Sequence, residues 1–165
     1  MFKDLRGVRY LCVSAAIAGL YAALTLLLMP ISYGNLQCRV SEALTILPVL
    51  LPEAVPGLTV GCLIANLIGS ATPWDVVFGT LATLIAALLS RATRHLLWTR
   101  WKLPLVSALW PVLANGLIVG LVLSLTLNLP LLLTMLEVAV GEAAALVIGL
   151  LVYPALARIV PKLEG

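Results

Sequence analysis

Charge is scarce in this chain. Of its 165 residues, 10% are Asp, Glu, Lys or Arg and 62% are hydrophobic, whereas ordinary soluble domains carry about 25% charged residues. A soluble fold of this size cannot hide that much apolar surface, which excludes a soluble enzyme or binding module. Alternating polarity in segments of about 10 residues, the mark of a membrane β-barrel, is missing too. The apolar runs are continuous. The fold class is therefore an all-α integral membrane protein, with one transmembrane domain over residues 1–165.

Other absences narrow the function. There is no G-x-x-x-x-G-K-[ST] loop to cradle nucleotide phosphates, so ATP hydrolysis of that kind is not available to this chain. Cys12, Cys38 and Cys62 fall in three separate segments without metal-ligand spacing. They read as small apolar packing residues. The single histidine, His95, lies among arginines. No nucleophile, base and orienting residue can be assembled, so no catalytic residue, metal or cofactor is expected. The net charge is +3, but the basic residues are dispersed at segment ends rather than gathered in one patch, which argues against nucleic acid. No internal repeat of the kind that builds many secondary transporters is visible.

What is present is a series of six apolar segments, about 10–29, 39–51, 55–71, 75–92, 104–127 and 132–157. A span needs about 20 apolar residues, fewer where a helix is short or broken. The second and third are short, divided by Pro52, Glu53 and the Pro56–Gly57 pair, which is turn chemistry. The first could pass for a signal peptide but continues without a clear stop, and it reads as a retained helix. Lys3, Arg6 and Arg9 precede it, Arg91, Arg94, Arg100 and Lys102 follow the fourth segment, and Arg158 and Lys162 follow the sixth. With six spans all three groups fall on one side, the cytoplasm, together with both termini. Arg39 is the exception among ten basic residues.

Charges inside such segments are costly and point to function by default. Arg39 and Glu42 lie three residues apart and share a helix face, as an internal ion pair or as ligand contacts. Glu137 and Glu142 are separated by about 140° around one helix, so one lines a pocket while the other meets a neighbouring helix or water. Asn66, Trp74 and Asp75 fall near the same outer half of the bundle. Each also has a structural reading: Asn66 and Asn115 as interhelical hydrogen-bond partners, Trp74 as an interfacial belt residue, and Asp75 as a helix cap. Ala15, Ala18, Gly19, Ala22 and Ala23 form a broad small-residue stripe on the first helix. Such a stripe lets another helix approach closely, from this bundle or from a separate membrane protein. These features suit a pocket filled from outside.

The segment Tyr33-Gly34-Asn35-Leu36-Gln37-Cys38-Arg39-Val40-Ser41-Glu42-Ala43-Leu44 is followed by Leu47-Pro48, Pro56-Gly57-Leu58 and Gly61-Cys62-Leu63-Ile64-Ala65-Asn66. With Trp74-Asp75-Val76-Val77-Phe78-Gly79-Thr80-Leu81-Ala82-Thr83-Leu84 and Val140-Gly141-Glu142, it resembles the QueT family, the queuosine-precursor substrate-binding subunits (S-components) of energy-coupling-factor transporters. The resemblance covers nearly the whole chain. It implies a six-helix capture subunit in the bacterial cell membrane, driven by a membrane coupling subunit and two partner ATPase subunits. It also implies an alanine-rich first helix that docks on the coupling subunit, for which Ala15, Ala18, Gly19 and Ala22 are the candidates. The implied substrate is 7-aminomethyl-7-deazaguanine or queuine. Such a ring presents an N–H and an amine that one carboxylate can accept, a carbonyl that needs a donor, and a cationic aminomethyl group that favours an acid or an aromatic face. On that reading Glu42 and Glu142 supply the acidic contacts. Gln37, Asn66 and Arg39 are the candidate donors, Trp74 or Tyr33 stacks on the ring, and Asp75 and Glu137 complete the candidate set. A proton-coupled exporter using Glu142 is the alternative reading.

Overall fold

The computed structural model describes residues 2–32, 39–69, 72–96 and 103–164. Among the described residues every regular element is helical. Helix α1 (Phe2–Leu27) is followed by the one-turn α2 (Met29–Ser32), a 3-10 helix (Val40–Val49), α3 (Ala54–Gly69) and α4 (Pro73–Ala92). A single rod then comprises α5 (Leu105–Ala114), a π-helical turn (Asn115–Val119) and α6 (Gly120–Leu127), and α7 (Leu131–Glu164) closes the bundle. Among the described residues four stretches are long and apolar enough to cross a membrane: Gly7–Leu27, Pro73–Ala92, Leu105–Leu127 and Leu131–Val160. The 3-10 helix and α3 are shorter apolar helices.

Proline chemistry sets the helix starts. Pro73 occupies the first turn of α4, where a missing N–H costs nothing, and the Thr72 hydroxyl accepts from the Asp75 backbone N–H. Thr72 is thus the cap, and Asp75, expected in that role, is instead buried within the bundle. Pro104 and Pro130 stand immediately before α5 and α7. The Pro56–Gly57 pair, expected to form a turn, lies inside the start of α3. Proline is tolerated there, and Gly57 serves packing: a β-carbon on it would come 2.8 Å from the Ser14 carbonyl oxygen of α1.

Close backbone approach also sets the register. A β-carbon on Gly61 would lie 2.7 Å from the Ala18 carbonyl oxygen, so α1 and α3 run parallel with small residues between them, as membrane helices do when packing rather than hydrophobicity holds them. Thr83 meets Cys62, and Gly79 meets Asn66, so α4 runs antiparallel to α3. Gly116 abuts Ala139 and Gly120 abuts Met135, which makes the α5–α6 rod antiparallel to α7. Finally, a β-carbon on Gly149 would lie 2.5 Å from the Ala43 carbonyl oxygen, bringing α7 against the 3-10 helix.

Two backbone interruptions have identifiable partners. Pro111 has no N–H to give the Ser107 carbonyl four residues earlier, and that oxygen accepts from the Ser90 hydroxyl of α4 at 2.8 Å. At the end of the 3-10 helix, Arg91 Nη1 donates to the Pro48 and Val49 carbonyls at 3.1 and 3.3 Å. Arg91 was expected in a basic loop; it is in the last turn of α4, where it satisfies carbonyls that the short helix leaves open. The 3-10 geometry matters for reach. At about 2.0 Å per residue a ten-residue helix covers about 20 Å, where an α-helix would cover about 15 Å.

Candidate functional site

The site begins at the N-terminal end of the 3-10 helix. Glu42 is 1% exposed, and its Oε1 accepts a hydrogen bond from the Tyr21 hydroxyl of α1. One turn along α1, the Thr25 hydroxyl lies 2.7 Å from that of Ser41 and donates to the Tyr21 carbonyl at 2.8 Å. The Thr45 hydroxyl holds the Glu42 carbonyl at 2.6 Å. Glu42 is thus anchored through one oxygen and through its backbone. Its other oxygen, Oε2, is buried and has no hydrogen-bond partner among the described residues.

Around this carboxylate the bundle gathers further polar groups. Arg39 is buried and acts electrostatically on Glu42, Asp75, Cys62 and Tyr21. Asn66 on α3 uses Nδ2 to reach the Asp75 carbonyl at 3.2 Å and the Cys62 sulfur at 3.4 Å. Thr83 donates to the same sulfur at 3.3 Å. Cys62 packs in the apolar core beside Leu58 and Ala65, as expected, and its sulfur is in addition an acceptor within this network. Asp75 Oδ1, like Glu42 Oε2, is buried without a hydrogen-bond partner among the described residues.

Glu142 joins from α7, where it is also buried. It lies seven residues before Gly149, about 10 Å along the helix. Arg39 lies four residues before Ala43, about 8 Å along the 3-10 helix. Since Gly149 abuts Ala43 and the two helices run the same way, Glu142 stands at the level of Arg39, about 8 Å along the axis from Glu42. Glu137 stands apart, in a groove of about 240 Å³ lined by Leu129, Pro130, Leu133 and Thr134.

The expected aromatic neighbour is placed differently. Trp74 is 58% exposed and packs its ring 6.2 Å from that of Phe78. Together they line an apolar groove of about 580 Å³ against Leu117, Leu121 and Leu125 of the α5–α6 rod. Consecutive helical residues point about 100° apart, so the burial of Asp75 turns Trp74 toward the outside of the bundle. Tyr33 and Gln37 lie outside the described residues.

The small-residue stripe of α1 divides in two. Ala18 and Ala22, expected on the docking face, are buried in the bundle, with Ala18 against Gly61. Ala15 and Gly19 remain exposed, in line with Ala16 and Ala23. The four-residue spacing of Ala18 and Ala22 is equally that of a buried helix face, so sequence spacing alone could not separate the two.

Tyr21 and Thr83 were not singled out from sequence. A signal for Tyr21 was available: Tyr21 and Thr25 recur at i, i+4 on the same face as Ala18 and Ala22. A polar pair on the inward face of a membrane helix needs partners across the bundle.

The arrangement is suited to binding. It offers buried carboxylate acceptors beside one guanidinium, supported by hydroxyl and amide donors, in surroundings that keep water out and strengthen each hydrogen bond. A small polar ligand with several N–H donors fits that chemistry.

Comparison with known proteins agrees. Residues 11–158 match the family described as QueT transporter. The chain is also similar to the queuosine precursor transporter QueT of Lactococcus lactis subsp. cremoris (strain MG1363), with 41% identity over 73 residues. That alignment covers 43% of this chain and 43% of the relative, so the chain spans less than half the length of the curated relative it matches. No solved structure matches the chain. With its family match over most of its length and its several apolar helices, this multi-pass membrane protein belongs to the QueT transporter family.

Proposed function

We propose that the chain is the membrane-embedded capture subunit of an energy-coupling-factor importer for a queuosine precursor, 7-aminomethyl-7-deazaguanine or queuine. The observation that carries this reading is the buried cluster around Glu42, with acceptor oxygens of Glu42 and Asp75 that have no hydrogen-bond partner among the described residues. Unengaged buried carboxylate oxygens are expensive, and a ligand rich in N–H donors relieves that cost. The name of the Lactococcus relative supports the substrate class.

In this reading the six apolar rods cross the membrane with both termini in the cytoplasm, the 3-10 helix and α3 being the short crossings. Glu42 and Glu142 accept from the ring N–H, the ring amine and the aminomethyl group. Arg39 balances their charge, and Asn66 holds Asp75 in place. Tyr33 and Gln37, from the segment before Arg39, remain candidate ligand contacts, the first as a stacking ring and the second as a donor. Glu137 lies outside the contact set, and Trp74 borders the entrance. Energy comes from two partner ATPase subunits through a membrane coupling subunit, which meets α1 on its exposed face of Ala15 and Gly19.

The test is equilibrium binding of both deazaguanines to the purified chain, with guanine as control. Selective binding that Glu42→Gln or Glu142→Gln weakens about tenfold or more is the expected result. Well-folded protein that binds neither compound would remove the substrate assignment.

A further inference from the structure

The π-helical turn of the α5–α6 rod presents a side chain that the reading above does not use. Leu109, Leu113, Leu117, Leu121 and Leu125 form an exposed ridge at every fourth residue of this rod, facing the lipid. Asn115 lies two residues from both Leu113 and Leu117, about 200° around the helix, and so faces the bundle interior. It is 3% exposed, and its Nδ2 is buried without a hydrogen-bond partner among the described residues. From sequence an interhelical bond was expected here; the amide makes none to a described residue. π-helical turns cost hydrogen-bond quality and recur where a helix must re-aim a functional residue. Here Pro111, one turn earlier, has already interrupted the backbone ladder.

The register places this amide at the candidate site. Gly116 abuts Ala139 on antiparallel α7, so Asn115 lies opposite residue 140 and about 3 Å along the axis from Glu142. Helices α4 and α7 each pack against both the π-helical turn and the 3-10 helix that carries Arg39 and Glu42. Among the described residues the other nearby amide is already engaged: Asn66 Nδ2 has two protons, and it points them at the Asp75 carbonyl and the Cys62 sulfur.

We infer that Asn115 is a ligand-reading residue whose Nδ2 donates to a ring carbonyl oxygen, while the carboxylates accept from the neighbouring N–H groups. This assignment rests on the capture reading and deepens it. It makes Asn115 the group that reads the carbonyl of a lactam ring.

The test is calorimetric binding to the full-length chain in detergent micelles. The ligands are 7-aminomethyl-7-deazaguanine and its analogue without the ring carbonyl, which loses the adjacent ring N–H as well. The readout is therefore the effect of each Asn115 substitution on each ligand rather than the difference between the ligands. Asn115→Ala and the near-isosteric Asn115→Leu are expected to weaken the carbonyl-bearing ligand by about tenfold or more and to leave the carbonyl-free analogue unchanged. Neither is expected to lower the unliganded melting temperature substantially, because the amide donor has no protein bond to lose. Should the alanine variant fail to fold, the leucine variant carries the comparison. Equal losses for both ligands, unchanged binding of both, or a large fall in unliganded melting temperature for the leucine variant would each overturn the assignment. Wild-type protein that binds neither compound would overturn the capture reading and this assignment with it. Wild-type binding that is insensitive to Asn115 would overturn this assignment alone.

Discussion

Gly79 holds open the space occupied by the Asn66 amide: a β-carbon on Gly79 would lie 2.9 Å from Asn66 Nδ2. The glycine is required by its neighbour across the helix pair rather than by its own backbone. Gly79→Ala is expected to displace the amide from its bonds to Asp75 and Cys62 at a cost of about 1–3 kcal/mol. A thermal melt in detergent checks this. Asn66→Ala in the same background should make the added methyl group cheaper, because the obstacle is then gone.

Tyr21→Phe removes the donor to Glu42 Oε1. The carboxylate is buried, so losing that hydroxyl leaves a second oxygen without a protein partner, at about 1–3 kcal/mol. Chemical denaturation of the purified variant should show this loss, and ligand binding should weaken because the carboxylate is no longer aimed. Unchanged stability and affinity would show that Tyr21 does not position Glu42.

Ser90→Ala should cost about 1 kcal/mol by leaving the Ser107 carbonyl unsatisfied. The cause is Pro111, so Pro111→Ala, which restores an N–H to the helix, should reduce the cost of Ser90→Ala. A double-mutant cycle read by melting temperature tests that coupling. Additive effects would mean the two residues act independently.

On the capture-subunit reading, substitutions on the two faces of α1 should separate folding from uptake. Ala18→Leu and Ala22→Leu place bulk inside the bundle and are expected to lower stability by about 1–3 kcal/mol. Gly19→Leu adds its side chain where nothing lies within 4 Å. It should leave folding and ligand binding intact and abolish uptake by the assembled transporter. Normal uptake by Gly19→Leu would place the coupling subunit elsewhere.

Gly149→Ala should separate α7 from the 3-10 helix, since its β-carbon meets the Ala43 backbone rather than a movable side chain. Reduced melting temperature and weakened binding together are the expected pair of results, because that contact sets the level of Glu142 against Glu42. Binding that survives a clear loss of stability would show that the register tolerates the shift.

Much of the architecture was legible in the chain itself. The continuous apolar runs and the proline and glycine punctuation delivered the helical membrane class and the order of the rods, because these depend on composition and local conformational cost. Glu42, Arg39, Asn66, Asp75 and Glu142 were also legible as site candidates, because a polar group within apolar sequence needs a reason to be there. Tertiary structure decided which way side chains face. It turned Trp74 outward, took Ala18 and Ala22 into the bundle and set Glu137 apart from Glu142. It also made Thr72 rather than Asp75 the helix cap, and brought Tyr21, Cys62 and Thr83 to the carboxylates. In a soluble protein, hydrophobic periodicity reports facing. In a membrane helix both faces are apolar, so facing is set by backbone approach at residues such as Gly61, Gly79 and Gly149, which only the assembled bundle reveals.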